Sequence, residues 1–247
     1  MKKAYIECLK KLRNFRKSIV EDIDSKRGKM YFTWLKNKTD KVMNEKDENY
    51  IYTNVIDYTL PKYVITQYTF NKANKILKNI IKKNYCFKDN KYTFNNFEIS
   101  KDDVKLLMKY VLFKRGNVIW IDFGFNIGNE FGGMHPAVIL KNFDTDLFVV
   151  PISSKKPHEY IKIMQDLENK TISKKEYEER KNSITEIIEI KKINGFRNML
   201  RWARITRMKK ISMLRVNFSG TIGTLDGADM DKITEKISIE LGNKNIK

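Results

Sequence analysis

The sequence predicts an α+β fold, in which a mainly helical N-terminal region precedes a β-rich region that ends in a helix. Apolar residues recur at three- and four-residue steps in residues 1–50 and 63–83, which is the spacing of amphipathic helices. Short runs rich in Val, Ile and Phe occupy residues 118–152, and Gly, Asn and Asp bound them, as is typical of β-strands. A last amphipathic stretch at about 229–241 predicts the closing helix.

Residues 1–50 are predicted to form helices that pack against the rest of the chain. Gly28 is a candidate break between two helical stretches. An apolar stripe on a helix usually faces a core, and a short coiled coil or a partner-binding arm is the alternative that this pattern leaves open. The stripe of the first helix consists of Tyr5, Leu9, Leu12, Phe15, Ile19 and Ile23.

The next part of the chain combines helices with a small hairpin. Residues 63–83 are predicted to form one amphipathic helix. Aromatic residues alternate around Asp89-Asn90, which suits a tight turn, so residues 85–99 are predicted to contain a β-hairpin. Ser100 is a good N-cap for a helix at about 101–112.

Three strands are predicted in the middle of the chain, at 118–123, 137–140 and 147–152. The segment between the last two is about the length of a hairpin loop. A Gly-rich loop separates the first two and ends at His135-Pro136, where the proline favours an extended conformation for the histidine. His135 therefore opens the second of these strands, beside the loop.

Polar residues collect where the third of these strands ends. Ser153 and Ser154 supply hydroxyl groups there, and Lys155 and Lys156 supply ammonium groups. In a small barrel, His135 and Ser153 would face one another across the hairpin. A histidine can serve as acid or base near neutral pH, and a hydroxyl beside it can donate a hydrogen bond to an anionic substrate.

A charged segment at 157–183 is predicted to be a helical insertion over one face of the β-rich region. His158 lies at the root of this insertion, and we interpret it as an exposed histidine. A strand at 184–193 is predicted to follow the insertion, because apolar and charged residues alternate there in part.

A further strand is predicted at 199–208, and it carries three arginines. Because side chains alternate between the two faces of a strand, Arg201 and Arg207 would share one face and Arg204 would point to the other.

These elements, taken together and in this order, resemble the MazF/PemK family of toxin endoribonucleases from toxin–antitoxin systems. The family's first strand opens with Arg-Gly-Asp-Val, and this chain has Arg-Gly-Asn-Val at 115–118. The family's Gly-x-Glu-x-x-Gly-x-x-Pro loop corresponds to residues 128–136, and its Pro-hydrophobic-Ser/Thr strand end corresponds to residues 151–153. The resemblance covers roughly 113–156 and 198–242.

This resemblance implies an SH3-like small β-barrel with a C-terminal helix at 111–247, preceded by a mainly helical domain of unknown role at 1–110. It also implies metal-free cleavage of single-stranded RNA, in which the 2′-hydroxyl attacks the neighbouring phosphorus and leaves 2′,3′-cyclic phosphate and 5′-hydroxyl ends. The residue before the family's proline is typically an arginine with a part in catalysis, and here it is His135. The family's partner hydroxyl, often threonine, maps to Ser153.

The candidate catalytic residues are therefore His135, Ser153 and Glu130, the last as a base or as a group that orients another. No metal or other cofactor is expected, because no His, Cys or Asp cluster in the sequence has metal-ligand spacing. The candidate RNA-binding residues come from the loop, from the strand end and from the arginine-rich strand: Asn129, Gly132, Lys155, Lys156, Arg204 and Arg207.

Composition and charge agree with a folded protein that binds a polyanion. The chain has 247 residues, of which 41% are hydrophobic, and this excludes a disordered composition. The formal net charge of +19 favours nucleic acid as a partner, although a general lysine bias in the composition is the alternative explanation. Cys8 and Cys86 match no metal spacing and suggest free thiols. We expect a cytoplasmic location, because no run is apolar enough for a signal or a membrane span.

Three functions fit these observations. The first is an endoribonuclease toxin, favoured because Glu130, His135 and Ser153 occur at matching positions. The second is a catalytically inactive family member that binds nucleic acid or protein as a regulatory module. The third is a module in which residues 1–110 matter most, as an assembly arm or an inbuilt inhibitory clamp. The resemblance further implies a homodimer and an antitoxin protein as a partner.

Overall fold

A computed structural model describes residues 6–7, 10–14, 33–36, 38–40, 49–124, 132–184 and 186–242 of the chain. The α-helices among these residues that have continuous bounds are α1 (Tyr50–Asn54), α2 (Gln67–Lys72), α3 (Lys75–Asn84), α4 (Lys101–Leu107), α5 (His158–Glu168), α6 (Lys174–Ser183) and α7 (Gly227–Glu240). The strands are β1 (Ile65–Thr66), β2 (Tyr85–Lys88), β3 (Lys91–Phe94), β4 (Asn117–Asp122), β5 (Met134–Asn142), β6 (Asp146–Ser153), β7 (Ile187–Ile190), β8 (Arg201–Arg204), β9 (Lys209–Ser212) and β10 (Gly223–Thr224).

The earliest part of the chain is described only in short helical pieces at 6–7, 10–14, 33–36 and 38–40. Leu12 lies in one of these pieces, whereas Gly28 and the other residues of the predicted stripe lie outside the described residues. Among the helices that are described, none is long and apolar enough to cross a membrane.

The prediction of one helix at 63–83 is wrong, because two side chains cap separate helices within it. Thr66 Oγ1 accepts a hydrogen bond from Thr69 N and starts α2, and Asn74 Oδ1 accepts one from Leu77 N and starts α3. Ala73 between the two helices is extended, with ψ 146°. Local capping of backbone N–H groups thus outweighs a continuous apolar spacing.

The predicted hairpin and the predicted N-cap are both confirmed. Strands β2 and β3 pair antiparallel, and the turn residues Asp89 and Asn90 have positive φ, as a two-residue hairpin turn requires. Ser100 Oγ accepts a hydrogen bond from Asp103 N at 3.2 Å and starts α4. A π-helical turn at Met108–Leu112 continues this helix towards β4.

The larger sheet is antiparallel, with strand order β10-β4-β5-β6-β8-β7 and with β9 also paired to β6. Strand β6 changes partner along its length: Asp146–Val149 pair with β9, and Ile152 and Ser153 pair with β8. Isolated bridges join Ile121 to Val216 and Asn194 to Thr224, so the sheet curls back towards β4 and β10.

Two hydrophobic clusters lie on the two faces of this sheet. One cluster joins Ile121, Ile139 and Val149 of the sheet to residues of the N-terminal helices such as Leu60 and Leu107. The second contains Val118, Val138 and Val150, which alternate with the first set along the same strands, together with Met230 and Ile233 of α7. The N-terminal helices therefore cover one face and the closing helix covers the other.

The C-terminal elements differ from the predictions at their ends. The predicted strand at 199–208 is only the four residues of β8, followed by a 3₁₀ turn at Ile205–Arg207. The prediction that Arg207 shares a strand face with Arg201 is therefore wrong. The closing helix α7 begins at Gly227, earlier than predicted, because Asp226 Oδ1 accepts a hydrogen bond from Asp229 N at 2.8 Å.

Candidate active site

His135 and Ser153 lie at the same end of the hairpin formed by β5 and β6. His135 is the second residue of β5 and pairs with Ile121 on β4, and Ser153 is the last residue of β6. The paired register of the two strands ends at Ala137 and Pro151, and continuing it by two residues would bring His135 opposite Ser153. Directly opposed side chains share a face and have Cβ atoms about 5 Å apart. The structure thus places the two predicted residues at the same end of adjacent strands, and their direct opposition stays a prediction.

The hydroxyl of Ser153 is oriented by its own turn. Ser153 Oγ accepts a hydrogen bond from Lys155 N at 3.0 Å, which leaves the hydroxyl hydrogen to donate elsewhere. Ser153 is only 5% exposed, and it pairs with Trp202 on β8. A phosphate group therefore reaches this hydroxyl only after neighbouring groups shift.

The imidazole of His135 is half-buried. Burial lowers the pKa of His135, and a hydrogen bond with the backbone of Gly132 opposes that effect. The ring is therefore predominantly neutral at neutral pH, and a neutral imidazole can accept a proton. Gly133, with φ +82°, lies next to the ring, since a β-carbon at this position would be 4.0 Å from His135 Nε2.

Arg204 contacts the turn that follows this strand end. Its Nη2 lies 3.5 Å from the carbonyl oxygen of Lys155, a long contact at the limit of a hydrogen bond. Burial lowers the pKa of Arg204, and the charge of Glu159 acts in the opposite direction. The guanidinium stays ionised, because its pKa starts far above neutrality.

The other predicted cations lie differently. Lys155 is exposed beside Ser153. Lys156 Nζ lies 3.0 Å from Met164 Sδ, so its side chain is directed towards α5. Arg207 is exposed in the 3₁₀ turn, and its charge contributes to lowering the pKa of Arg204.

Two predicted site residues, Asn129 and Glu130, lie outside the described residues, as do the other positions of 125–131. Gly132, also predicted to bind RNA, is described, and its backbone bonds to the His135 ring. Within the described ranges, no group of three or more His, Cys, Asp or Glu residues is placed to hold a metal ion.

Sequence reasoning missed a cluster at the end of β4. Gly124 pairs with Gly133, whose N donates to Gly124 O at 2.7 Å. A β-carbon at Gly124 would lie 3.0 Å from Trp34 Nε1 and 3.2 Å from Arg215 Nη1. The indole of Trp34 therefore lies against Gly124, and Gly124 pairs with Gly133, which is two residues before His135. No local pattern in the sequence signals this long-range contact.

Comparison with known protein families gives one match over this part of the chain. The model of the PemK-like, MazF-like toxins of type II toxin–antitoxin systems matches residues 114–241. The chain belongs to this family. The matched region contains His135, Ser153 and Arg204, whereas α1 to α4 precede it. A comparison with proteins of curated function gives no match.

Solved structures of MazF proteins are among the similar folds. MazF (Form-I) from Deinococcus radiodurans is 12% identical with a TM-score of 0.36, and the match covers 53% of this chain and 97% of that one. An endoribonuclease from a mycobacterial species gives 12% identity and a TM-score of 0.34, covering 53% and 93%. The MazE–MazF complex (Form-II) from Deinococcus radiodurans gives 12% and 0.33, covering 52% and 95%.

Proposed function

We propose that this MazF/PemK-family chain is an endoribonuclease that cuts single-stranded RNA at the end of the β5–β6 hairpin. The observation that supports the proposal is the position of His135 and Ser153 at the same end of the paired strands β5 and β6, with the Arg204 guanidinium at the adjoining turn. A base, a hydroxyl donor and a fixed cation are the groups that cleavage of an RNA phosphodiester requires.

In the proposed reaction His135 acts as the general base. Its neutral ring takes the proton of the 2′-hydroxyl, and the 2′-oxygen forms a bond to the adjacent phosphorus. Ser153 donates a hydrogen bond to a non-bridging oxygen, and Arg204 and Lys155 offset the negative charge that develops there. The bond to the 5′-oxygen breaks, this oxygen takes a proton from water, and the hydroxide that is left takes the proton back from His135. The products are a 2′,3′-cyclic phosphate and a 5′-hydroxyl, and the scheme uses no metal ion.

The finer features of the family complete this proposal. We propose that the curled sheet with α7 is an SH3-like barrel, that Glu130 and Asn129 bind RNA from the loop, and that the chain is a homodimer controlled by an antitoxin protein. The family match supports the antitoxin, because the matching toxins belong to toxin–antitoxin systems. The 1–110 and 111–247 division stays a prediction.

The test is a cleavage assay with a long single-stranded RNA in EDTA. Wild type is compared with His135→Ala and Ser153→Ala, and with His158→Ala and Ser154→Ala as matched controls. His158 is exposed at the start of α5, and Ser154 is the exposed neighbour of Ser153. Loss of a general base costs about 10²–10⁴-fold in rate, and loss of one donor to the developing charge about 10²–10³-fold.

Cuts at few sites with cyclic phosphate ends, lost in the two site variants and kept in the two controls, would establish the nuclease. Intact RNA with every variant, including wild type, would favour the inactive, binding-only alternative. Cleavage that survives His135→Ala would remove the histidine from the reaction.

A second candidate function is internal inhibition by the early helical segment. The observation that favours it is the indole of Trp34 against Gly124, at the loop that adjoins His135. We expect Trp34→Ala to raise the cleavage rate of the full chain, with Lys36→Ala, an exposed neighbour, as the control. A lower rate in Trp34→Ala would instead make the indole part of the RNA-binding surface.

A further inference from the structure

A cavity of about 390 Å³ lies where the N-terminal helices meet the β5–β6 turn, away from the candidate active site. We call it the Tyr52 notch. Ligand pockets begin at about 300 Å³, so the notch has room for a small group such as one nucleotide. Its lining combines apolar groups with polar and charged ones: Tyr52, Leu106 and Met108, with Lys105, Lys109, Asn142 and Asp144.

The ring of Tyr52 forms one wall of the notch, and two cations lie near this ring. Lys101 Nζ lies 5.8 Å from the centroid of the Tyr52 ring, and Lys105 Nζ lies 5.7 Å from it. An aromatic face with flanking ammonium groups is the combination by which proteins bind single-stranded nucleic acid, because the base stacks and the phosphate pairs with the cation. The ring of Tyr52 is half-buried, so its position is held by the helices.

The carboxylates at the notch hold their lysines weakly. Lys109 Nζ lies 3.3 Å from Asp144 Oδ1, with 45% of the lysine and 72% of the aspartate side chain exposed. Lys105 Nζ lies 3.7 Å from Asp102 Oδ1, which is 89% exposed. Exposed pairs of this kind contribute about 0–1 kcal/mol, so a phosphate can replace either carboxylate.

A second ring lies beside the notch, on the turn between β5 and β6, and this one is exposed. Phe143 is 43% exposed, with Lys141 Nζ 4.9 Å and Lys210 Nζ 5.4 Å from its ring centroid. Lys210 also pairs with Asp146 at 2.9 Å. Asn142, which also lines the notch, is held within this turn, because its Oδ1 accepts a hydrogen bond from Asp144 N at 2.8 Å. Rings and cations thus alternate from α1 to the turn.

This surface lies at the opposite end of β5 from the candidate active site. His135 is near the start of β5 and Asn142 is its last residue, which at about 3.3 Å per residue is a separation of about 23 Å. A nucleotide bound in the notch would therefore be separated from the phosphate that reacts by several nucleotides of the same strand. Tyr52, Lys105 and Lys109 also precede the region that matches the family.

We propose that the Tyr52 notch binds one nucleotide of a single-stranded RNA at a distance from the cut, with the base on Tyr52 and its phosphate between Lys105 and Lys109. Phe143 stacks a neighbouring base. The proposal rests on the proposed function for the identity of the ligand as RNA. Its consequence is that longer RNA binds more tightly than a fragment that fills only the active site.

The test measures binding of the full chain to 2′-deoxy oligonucleotides, which lack the attacking hydroxyl and cannot be cut. A strand of about 16 nucleotides is compared with one of about 4, since single sites of this kind span about 4–16 nucleotides. The variants are Tyr52→Ala, Tyr52→Phe and the double change Lys105→Gln with Lys109→Gln.

Matched controls come from a similar pair elsewhere on the N-terminal helices. Tyr68 is 67% exposed, and Lys72 Nζ lies 4.6 Å from its ring centroid. Tyr68→Ala and Lys72→Gln therefore remove an exposed tyrosine–lysine pair outside the notch. Thermal unfolding of each variant checks that the fold is kept, and the double lysine variant tests the notch if Tyr52→Ala does not fold.

We expect Tyr52→Ala and the double lysine variant to bind the longer strand at least fivefold more weakly, in line with the loss of about one stacked base. Tyr52→Phe, the controls and binding of the short strand should be unchanged. Equal binding of the longer strand by wild type and the notch variants would overturn the proposal. So would equal competition by polyglutamate at matched charge, because it has no bases.

The binding assay needs no cut, so the two proposals fail separately. Binding that depends on Tyr52 in a chain that cuts no RNA would support the notch and overturn the nuclease. Cleavage of long and short RNA with the same kcat/KM in wild type and Tyr52→Ala would leave the nuclease and overturn the notch.

Discussion

Asn117 connects the N-terminal helices to the larger sheet, and its removal should destabilise both together. The side chain is completely buried, at 0% exposure. Its Nδ2 donates to Val111 O and to Leu112 O, each at 2.8 Å, and its Oδ1 accepts from Thr224 Oγ1 at 3.2 Å. One amide therefore joins the end of a helix, strand β4 and strand β10.

The cost of Asn117→Ala follows from these three hydrogen bonds. Each buried bond contributes about 1 kcal/mol net, and a buried carbonyl left without a partner costs about 1–3 kcal/mol. Because two carbonyl groups lose their partner, we expect Asn117→Ala to lower the free energy of unfolding by about 3–5 kcal/mol. That is a large fraction of the total stability of a domain, which is about 5–15 kcal/mol.

Equilibrium urea unfolding, followed by circular dichroism and by tryptophan fluorescence, measures this change. Asn71→Ala is the matched control, because Asn71 is exposed and its Oδ1 accepts a hydrogen bond from the partly buried Gln67 in the same helix. Asn117→Asp should cost at least as much as Asn117→Ala, since the carboxylate cannot donate to either carbonyl. A loss below about 1 kcal/mol in Asn117→Ala would refute the reasoning about unsatisfied carbonyls.

Three single changes test the histidine, the last strand and the closing helix. If His135 is the base, kcat/KM falls as the pH drops through its pKa, which burial lowers below the ordinary value; this acid limb should vanish in the residual activity of His135→Ala and persist in His158→Ala. Gly223→Ala places a β-carbon 2.5 Å from a phenyl carbon and 2.8 Å from a backbone oxygen, so a loss of about 1–3 kcal/mol is expected in thermal unfolding, and none in Gly227→Ala, where nothing lies within 4 Å. Asp226→Ala removes the N-cap of α7 and should lower the unfolding free energy by about 1 kcal/mol; no change would show that the cap contributes nothing.

The strands of the site could be predicted from the sequence, because the residues that determine each strand are close together in the chain. Val, Ile and Phe runs with Gly and Asp between them predict β4, β5 and β6, and the length of the loop between the last two predicts a hairpin. Once that hairpin exists, His135 and Ser153 lie at the same end of its two strands, because one is near the start of β5 and the other is the last residue of β6. The closing helix follows from its own apolar spacing, whereas the barrel was expected from the short strands together with the family resemblance.

The differences arise from local capping in one stretch and from the path and packing of the chain in the others. The caps at Thr66 and Asn74 divide a stretch whose apolar spacing suits one helix. Strand β8 ends at Arg204 because the chain turns there, so the alternation expected for Arg207 does not continue. The contact between Trp34 and Gly124 joins parts of the chain that no periodicity relates. Such contacts depend on the packing of the whole molecule.

The N-terminal helices occupy one face of the sheet in the way that a bound protein would. Leu60 and Leu107 bury Ile121, Ile139 and Val149 in one cluster, and separating them would expose that apolar surface to water. A partner that competes for this face must first unfold part of the chain. If an antitoxin or a second copy of the chain binds, we therefore expect it at the rim of the sheet or on the outer side of the N-terminal helices. The face of the sheet that these helices cover is already occupied by the chain itself.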